Sequence, residues 1–100
     1  MTFYVYILIS KSSNQFYTGQ TSNLQQRIDY HNSGKVRSTK NKGPWSFLFH
    51  TSVDSRAEAL RLERKIKNLK SRKRILSWIH KHLDDRSSVG PEFYQIFDLD

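Results

Sequence analysis

Tyr17-Thr-Gly-Gln-Thr-Ser-Asn-Leu-Gln-Gln-Arg-Ile-Asp-Tyr-His31 is the stretch whose reading decides the fold. It reads as the end of a strand, a turn through Gly19, and a helix capped by Ser22. Ser22 and Gln25 stand at capping-box spacing, so each side chain satisfies an amide that the first helical turn leaves unpaired. Gly34 marks the stop, just beyond Asn32. Leu24 and Ile28 form the buried side. Arg27 and His31, four residues apart, share a face beside that stripe. A phenol, a guanidinium and an imidazole are thus brought to one corner of the molecule.

Upstream, residues 3 to 9 read Phe-Tyr-Val-Tyr-Ile-Leu-Ile. A near-continuous apolar run rich in β-branched and aromatic residues indicates a strand buried on both faces and central in its sheet. The polar residues 11 to 15 turn the chain into a second strand over residues 16 to 20, which closes a β-hairpin. A glycine at position 19, inside a strand, signals close approach by another group or a backbone angle only glycine holds cheaply. Downstream, residues 35 to 43 form a basic loop ended by Pro44. Residues 45 to 53 read as a third strand, with Trp45, Phe47 and Phe49 placed on one face by simple alternation. Ser55 and Glu58 form a second capping box that opens the longest helix, with Ala59, Leu62, Ile66 and Leu69 as its apolar stripe. Ser71 caps a last helix whose Ile75, Leu76, Ile79 and Leu83 face inward, flanked by Trp78. The order β-β-α-β-α-α makes an α+β fold, a small three-stranded antiparallel sheet flanked by helices, over residues 1 to 83. Residues 84 to 100 change composition and read as an acidic, aromatic tail, loosely ordered or docked by Phe93, Tyr94, Ile96 and Phe97.

Charge is unevenly placed. Residues 1 to 83 hold sixteen Lys and Arg against four acids, Asp29, Asp54, Glu58 and Glu63, for a net +12. Residues 84 to 100 hold Arg86 against five acids, for a net −4. Eight of the fourteen residues from 61 to 74 are Lys or Arg, with Glu63 the lone acid. Such asymmetry, with a pI near 10.0, is the footprint of a polyanion binder. Absence of cysteine excludes disulfides and thiolate metal sites. No apolar run approaches the twenty residues of a membrane span, and the N-terminal run lacks the basic leader of a signal peptide. A cytoplasmic, nucleoid-associated protein is the expectation.

Taken singly, the polar residues of the site have ordinary roles. Strand tyrosines pack, an exposed helix arginine is solvated, and Glu63 pairs with Lys67 at i,i+4. Together they match what phosphodiester hydrolysis asks for: an acceptor for the water proton, a cation at the phosphate, and help for the leaving oxygen. Arg27 can bind phosphate bidentately. A tyrosine or His31 can accept the proton. Glu63 is the carboxylate available to hold one Mg²⁺ or Mn²⁺ with water and phosphate oxygens completing its shell. One carboxylate does not make a two-metal site.

These residues and spacings resemble the GIY-YIG nuclease superfamily, in particular small stand-alone bacterial members and the N-terminal module of bacterial excinuclease C. The resemblance spans roughly residues 3 to 80. Tyr4-Val5-Tyr6 corresponds to the first signature tripeptide and Tyr17-Thr18-Gly19 to the second. The family arginine falls on Arg27, the tyrosine-or-histidine position on His31, and the metal-binding glutamate on Glu63. By resemblance, Tyr6 and Tyr17 belong to a hydrogen-bonded catalytic cluster, Arg27 stabilises phosphate charge, His31 assists proton transfer, and Glu63 binds the metal. Three positions depart from the pattern: Tyr4 replaces the glycine of the first tripeptide, Thr18 replaces an apolar residue, and Ile75 stands where some members carry asparagine.

Lys35, Arg37, Lys40 and Lys42 of the basic loop, with Arg64, Lys65, Lys67 and Lys70 of the long helix, are the expected grip on a DNA backbone, RNA being an open second substrate. The implied activity is metal-dependent cleavage of DNA, structure-selective and serving repair or recombination. The competing readings are a non-catalytic nucleic-acid-binding module on the same scaffold, and a helper whose acidic tail docks a protein partner or covers the chain's own basic groove. Oligomeric state is open.

Overall fold

The apolar N-terminal run forms β1 (Phe3–Ser10), which turns into β2 (Phe16–Thr21) in a computed structural model that describes residues 1–97. Helix α1 (Leu24–Asn32), β3 (Trp45–Val53), α2 (Arg56–Lys67), α3 (Arg72–Lys81), β4 (Ser87–Val89) and α4 (Pro91–Phe97) follow. The sheet order is β2-β1-β3-β4, with all pairings antiparallel. β1 is therefore internal, and apart from Tyr4 every one of its residues is buried, as an apolar run without alternation requires.

The sheet has four strands, where the sequence pattern shows three. Ser87–Val89 pairs with β3 at Thr51, His50 and Phe49. Three residues with a single apolar side chain carry no strand periodicity; the open edge of β3 supplies the order. Phe93 of α4 is fully buried, and Ile96 and Phe97 pack on the same core. Phe93, Ile96 and Phe97 thus dock the segment that follows residue 83, whereas Tyr94 is exposed and takes no part in that core. The last three residues assigned to the acidic tail, 98–100, lie outside the described residues.

Two clusters of side chains separate the faces. Phe3, Val5, Ile7 and Ile9 of β1 pack with Ala59 and Ile66 of α2, Leu76, Trp78 and Ile79 of α3, and Phe93 of α4; Trp78 is part of this core, not a flank to it. Tyr6 and Leu8 face the other way, with Trp45, Tyr17, Phe47, and Leu24 and Ile28 of α1. Helices thus cover both faces. The alternation expected for β3 fails at one point. Ile7 pairs with Phe49 but Leu8 pairs with Phe47, which leaves Leu48 as the extra residue of a bulge. Trp45 and Phe47 consequently lie on the α1 face, while Phe49 joins Leu48 in the larger core.

Capping agrees with the sequence at two helices and differs at one. The Ser55 and Ser71 hydroxyls accept from the amides of Glu58 and Arg74. At α1 the cap is Asn23, whose side chain accepts from Gln26 N at 3.0 Å, and not Ser22. β2 extends to Thr21, and the Thr21 hydroxyl bonds both N and O of Asn23. That fixes Asn23 in the extended conformation of an N-cap, a place asparagine fills as well as serine. Among the described residues no helix is long and apolar enough to cross a membrane.

Candidate active site

Tyr6 stands at the centre of the candidate site. It projects from β1 toward α1 and is 1% exposed. Its partner across the strand pair is Gly19, and its ring lies directly over that residue. A Cβ built on Gly19 would stand 2.5 Å from the Tyr6 hydroxyl, so only glycine lets a tyrosine cross the edge strand here. This is the close approach that a glycine inside a strand signals. The Tyr6 hydroxyl thereby reaches the β2 margin of the sheet.

Helix α1 supplies two partners at that point. Arg27 Nε donates to the Tyr6 hydroxyl at 3.2 Å, and His31 Nε2 lies 2.9 Å from the same oxygen. Their four-residue separation on the helix makes this joint approach possible. Tyr17, one pleat along β2 and opposite Leu8, brings its ring to 4.9 Å from the His31 ring and 6.5 Å from that of Tyr6. Tyr6, Tyr17, Arg27 and His31 therefore converge as their spacing predicts.

Electrostatics follow from this burial. Burial raises the Tyr6 pKa, partly opposed by the Arg27 hydrogen bond and charge, so the phenol keeps its proton at neutral pH. The His31 pKa falls from 6.5 to about 4, first through burial and then through the Arg27 charge; the imidazole is neutral at physiological pH. The Arg27 pKa rises, chiefly through its hydrogen bond to Tyr6.

Glu63 comes from the opposite side of the sheet, on α2, which packs mainly against β2 and β1. Its charge still reaches the site, since it contributes to raising the Tyr6 pKa. Its side chain is 18% exposed, and Oε2 accepts from Lys67 Nζ at 2.6 Å. Among the described residues no three or more His, Cys, Asp or Glu side chains gather as a metal cage. The donors are instead hard oxygens. On the α2 side of β2, beside Gly19, the Gln20 Oε1 atom is buried without a hydrogen-bond partner among the described residues. Such donors fit a single Mg²⁺ or Mn²⁺ that keeps most of its water and takes substrate oxygens.

The basic residues divide. Lys40 lines a cleft of about 420 Å³ together with His31, Asn32 and Gly34, next to the candidate centre. Lys35, whose ammonium lies 5.1 Å from the Tyr30 ring centre, is exposed, as are Arg37 and Lys42. On α2, Arg64 and Lys65 line a shallow groove with Arg61 and Asn68. Lys67 is held by Glu63, and Lys70, past the end of α2, is exposed at φ 53°. Two acids of the C-terminal segment engage elsewhere. Asp84 accepts from Arg86 N and the Ser87 hydroxyl, and Glu92 accepts from the Ser46 hydroxyl.

Two residues carry the site without any mark in the sequence pattern. Thr39, 1% exposed, closes a short 3₁₀ turn over Arg37–Thr39 and places Oγ1 2.7 Å from His31 Nδ1. Asn32 holds the start of β3, accepting from Trp45 N at 2.7 Å and donating to Trp45 O at 3.0 Å.

Comparison with known proteins adds to this geometry. The profile of the GIY-YIG catalytic domain matches residues 2–75. The UPF0213 protein BH0048 of Halalkalibacterium halodurans is 39% identical over 75 residues, covering 74% of this chain and 79% of its own. The UPF0213 protein YhbQ of Escherichia coli K12 is 35% identical over 75 residues, covering 74% of this chain and 75% of its own. The solution NMR structure of the UPF0213 protein BH0048 from Bacillus halodurans superimposes with a TM-score of 0.55 at 32% identity, over 95% of this chain and 94% of that one.

Proposed function

The chain belongs to the GIY-YIG family, whose members are in general nucleases, and from that premise we propose that it is a metal-dependent endonuclease that hydrolyses DNA phosphodiester bonds. The observation that carries this reading is the Tyr6 hydroxyl, buried and held between Arg27 Nε and His31 Nε2. Arg27 donates its Nε to Tyr6 and also interacts with the Tyr17 hydroxyl; its guanidinium would bind a phosphate oxygen, for which it is the fitting donor. Because both Tyr6 and His31 are neutral at rest, neither alone is a strong base. The water that attacks phosphorus gives its proton to the Tyr6 oxygen, as Tyr6 passes its own to His31 Nε2. The P–O bond to the leaving oxygen breaks, and that oxygen takes a proton from solvent. Glu63 would hold the divalent ion, which when bound supplies charge neutralisation at the phosphate and acidifies water.

The exposed Lys35, Arg37, Lys42, Arg64, Lys65 and Lys70, with Lys40 at the cleft, would grip the phosphate backbone and make binding fall with salt. Such contacts do not read base sequence, so branched or nicked repair and recombination intermediates are the substrates to test first.

Supercoiled plasmid, branched DNA and single-stranded RNA are incubated with the protein and Mg²⁺ or Mn²⁺. Metal-dependent nicking is expected, with Glu63→Ala and Arg27→Ala each slower by about 100-fold or more. Equal residual cleavage by all three proteins would mark a contaminant and remove the assignment. One observation favours a second reading. The Lys67 ammonium already neutralises Glu63, as it would in a binding module without turnover. That reading expects salt-sensitive DNA binding, no cleavage, and unchanged affinity in Glu63→Gln.

A further inference from the structure

The basic loop that follows α1 has one fully buried side chain, Thr39, and it touches His31. The hydrogen bonds around the pair settle which imidazole nitrogen carries the proton. Arg27 Nε donates to the Tyr6 oxygen, and a guanidinium accepts nothing in return. The Tyr6 O–H must therefore find another acceptor, and His31 Nε2 at 2.9 Å is the one in place. Nε2 accepts only if it is bare, which puts the proton on Nδ1. That N–H points at Thr39 Oγ1, 2.7 Å away. The Thr39 hydroxyl is then free to donate onward to Val36 O at 3.3 Å. Every proton in the series Tyr6, His31, Thr39 has an acceptor.

The opposite tautomer fails the same count. With Nε2 protonated, the Tyr6 oxygen would receive two N–H groups, and its own O–H would be left without an acceptor in a buried residue. Thr39 would turn its hydroxyl to Nδ1 and abandon Val36 O. An unpaired buried O–H costs far more than a paired one returns. Thr39 itself has little freedom to turn away. Its amide donates to Val36 O at 3.1 Å, and its carbonyl accepts from Lys42 N at 3.2 Å and from Trp45 Nε1 at 3.3 Å.

We propose that Thr39 is a positioning residue that holds His31 as the Nδ1–H tautomer, so that Nε2 is the acceptor for the Tyr6 proton. Its use in cleavage rests on the nuclease reading above; the tautomer itself does not. Thr39 also stabilises the imidazolium that forms when the proton arrives, because its oxygen accepts from Nδ1–H. The residues flanking it in the loop, Arg37, Lys40 and Lys42, are those offered to the phosphate backbone. The loop that grips substrate is therefore the loop that sets the histidine.

The test begins with the unaltered protein, free of DNA and metal. Long-range ¹H–¹⁵N correlation spectra of the imidazoles should show the protonated nitrogen of His31 at Nδ1 and the bare one at Nε2. In Thr39→Val, which keeps the shape and removes the hydroxyl, the His31 signals should move toward the Nε2–H form or a mixture. Cleavage should fall by about 10- to 100-fold in kcat with KM little changed, the range set by losing an oriented proton acceptor. Thr39→Ser, which restores the hydroxyl, should recover the wild-type tautomer and most of the rate. A His31 found as Nε2–H in the unaltered protein would overturn the proposal. So would a Thr39→Val protein with unchanged tautomer and rate. If His31 proves to be Nδ1–H and Thr39-dependent but no cleavage is found with any substrate, the nuclease reading falls and the Thr39 assignment stands.

Discussion

Acidification from neutral pH should destabilise this protein before most of its carboxylates titrate, and His31 is the main reason. In the folded state the imidazole is 2% exposed, and its pKa stands at about 4 instead of 6.5. Between those values an unfolded chain takes up a proton at His31 and the folded chain does not. The unfolded state binds more protons, so stability falls as pH falls from 6.5 and the loss is complete near pH 4. The difference between 6.5 and about 4 corresponds to about 3 kcal/mol, a large part of the 5–15 kcal/mol that holds a domain of this size. His50, its pKa lowered by burial, adds in the same direction. Asp54, lowered by its hydrogen bond to Arg86, loses its contribution only as pH falls below the ordinary carboxylate range, so the windows separate. The assay is urea unfolding followed by tryptophan fluorescence from pH 7.5 to 4, for the wild type and His31→Asn. The variant starts less stable, having lost the Tyr6 and Thr39 hydrogen bonds, but its curve should be flatter by about 3 kcal/mol across the window. Equal slopes for the two proteins would mean that His31 is protonated in the folded state, and would refute the neutral, buried imidazole on which the proton relay depends.

Three further outcomes follow from single contacts. Gly19→Ala places a methyl 2.5 Å from the Tyr6 hydroxyl, so thermal denaturation should show a loss of about 1–3 kcal/mol, and cleavage should drop about 100-fold as Tyr6 leaves His31. Phe93→Ala removes a fully buried ring from the segment after residue 83 and should cost about 3–5 kcal/mol in urea unfolding; a cost near zero would return that segment to the status of a tail. Lys67→Met removes the ammonium that competes for Glu63 Oε2. Mn²⁺ affinity, read by paramagnetic relaxation of water, should rise by up to about fivefold, the worth of a partly exposed ion pair, whereas a fall would show that Lys67 supports the ion.

Most of the fold is legible in the sequence because it rests on local chemistry. The β1 run without alternation, the Ser55 and Ser71 caps, and the apolar stripe of α2 each depend on residues within one or two turns of each other. What escapes is decided at a distance. β4 has no pattern of its own and exists because β3 offers an open edge. The cap of α1 moves from Ser22 to Asn23 because β2 runs one residue further than its polar end suggests. The site divides in the same way. Arg27 and His31 are given by helical spacing, and Tyr6 and Tyr17 by the hairpin. Glu63, on the other side of the sheet, is singled out in the sequence as the lone acid of a basic helix, but only the family resemblance ties it to the Tyr6 corner. Thr39 has no sequence signal, since a threonine in a polar loop is ordinary until its neighbour eight residues back is known.

The bulge at Leu48 ties these long-range features together. If β3 alternated without interruption from Phe49 toward its start, Phe47 would pair with Ile9 and both it and Trp45 would face α2 and α3. The extra residue instead pairs Phe47 with Leu8 and Trp45 with Ser10, which turns both aromatic rings to the α1 side. There the Trp45 indole donates to the Thr39 carbonyl, and its backbone is gripped by Asn32 at the end of α1. Thr39 in turn meets His31, and His31 meets Tyr6. One inserted residue in a strand, invisible to any count of alternating side chains, thus supplies the wall against which the histidine is held. Gly19 does the complementary work on the other flank, letting Tyr6 cross the edge strand to a point that the Glu63 charge reaches from the opposite face. A sheet with regular β3 and any larger residue at position 19 would lose the arrangement that makes this corner a candidate for cleavage.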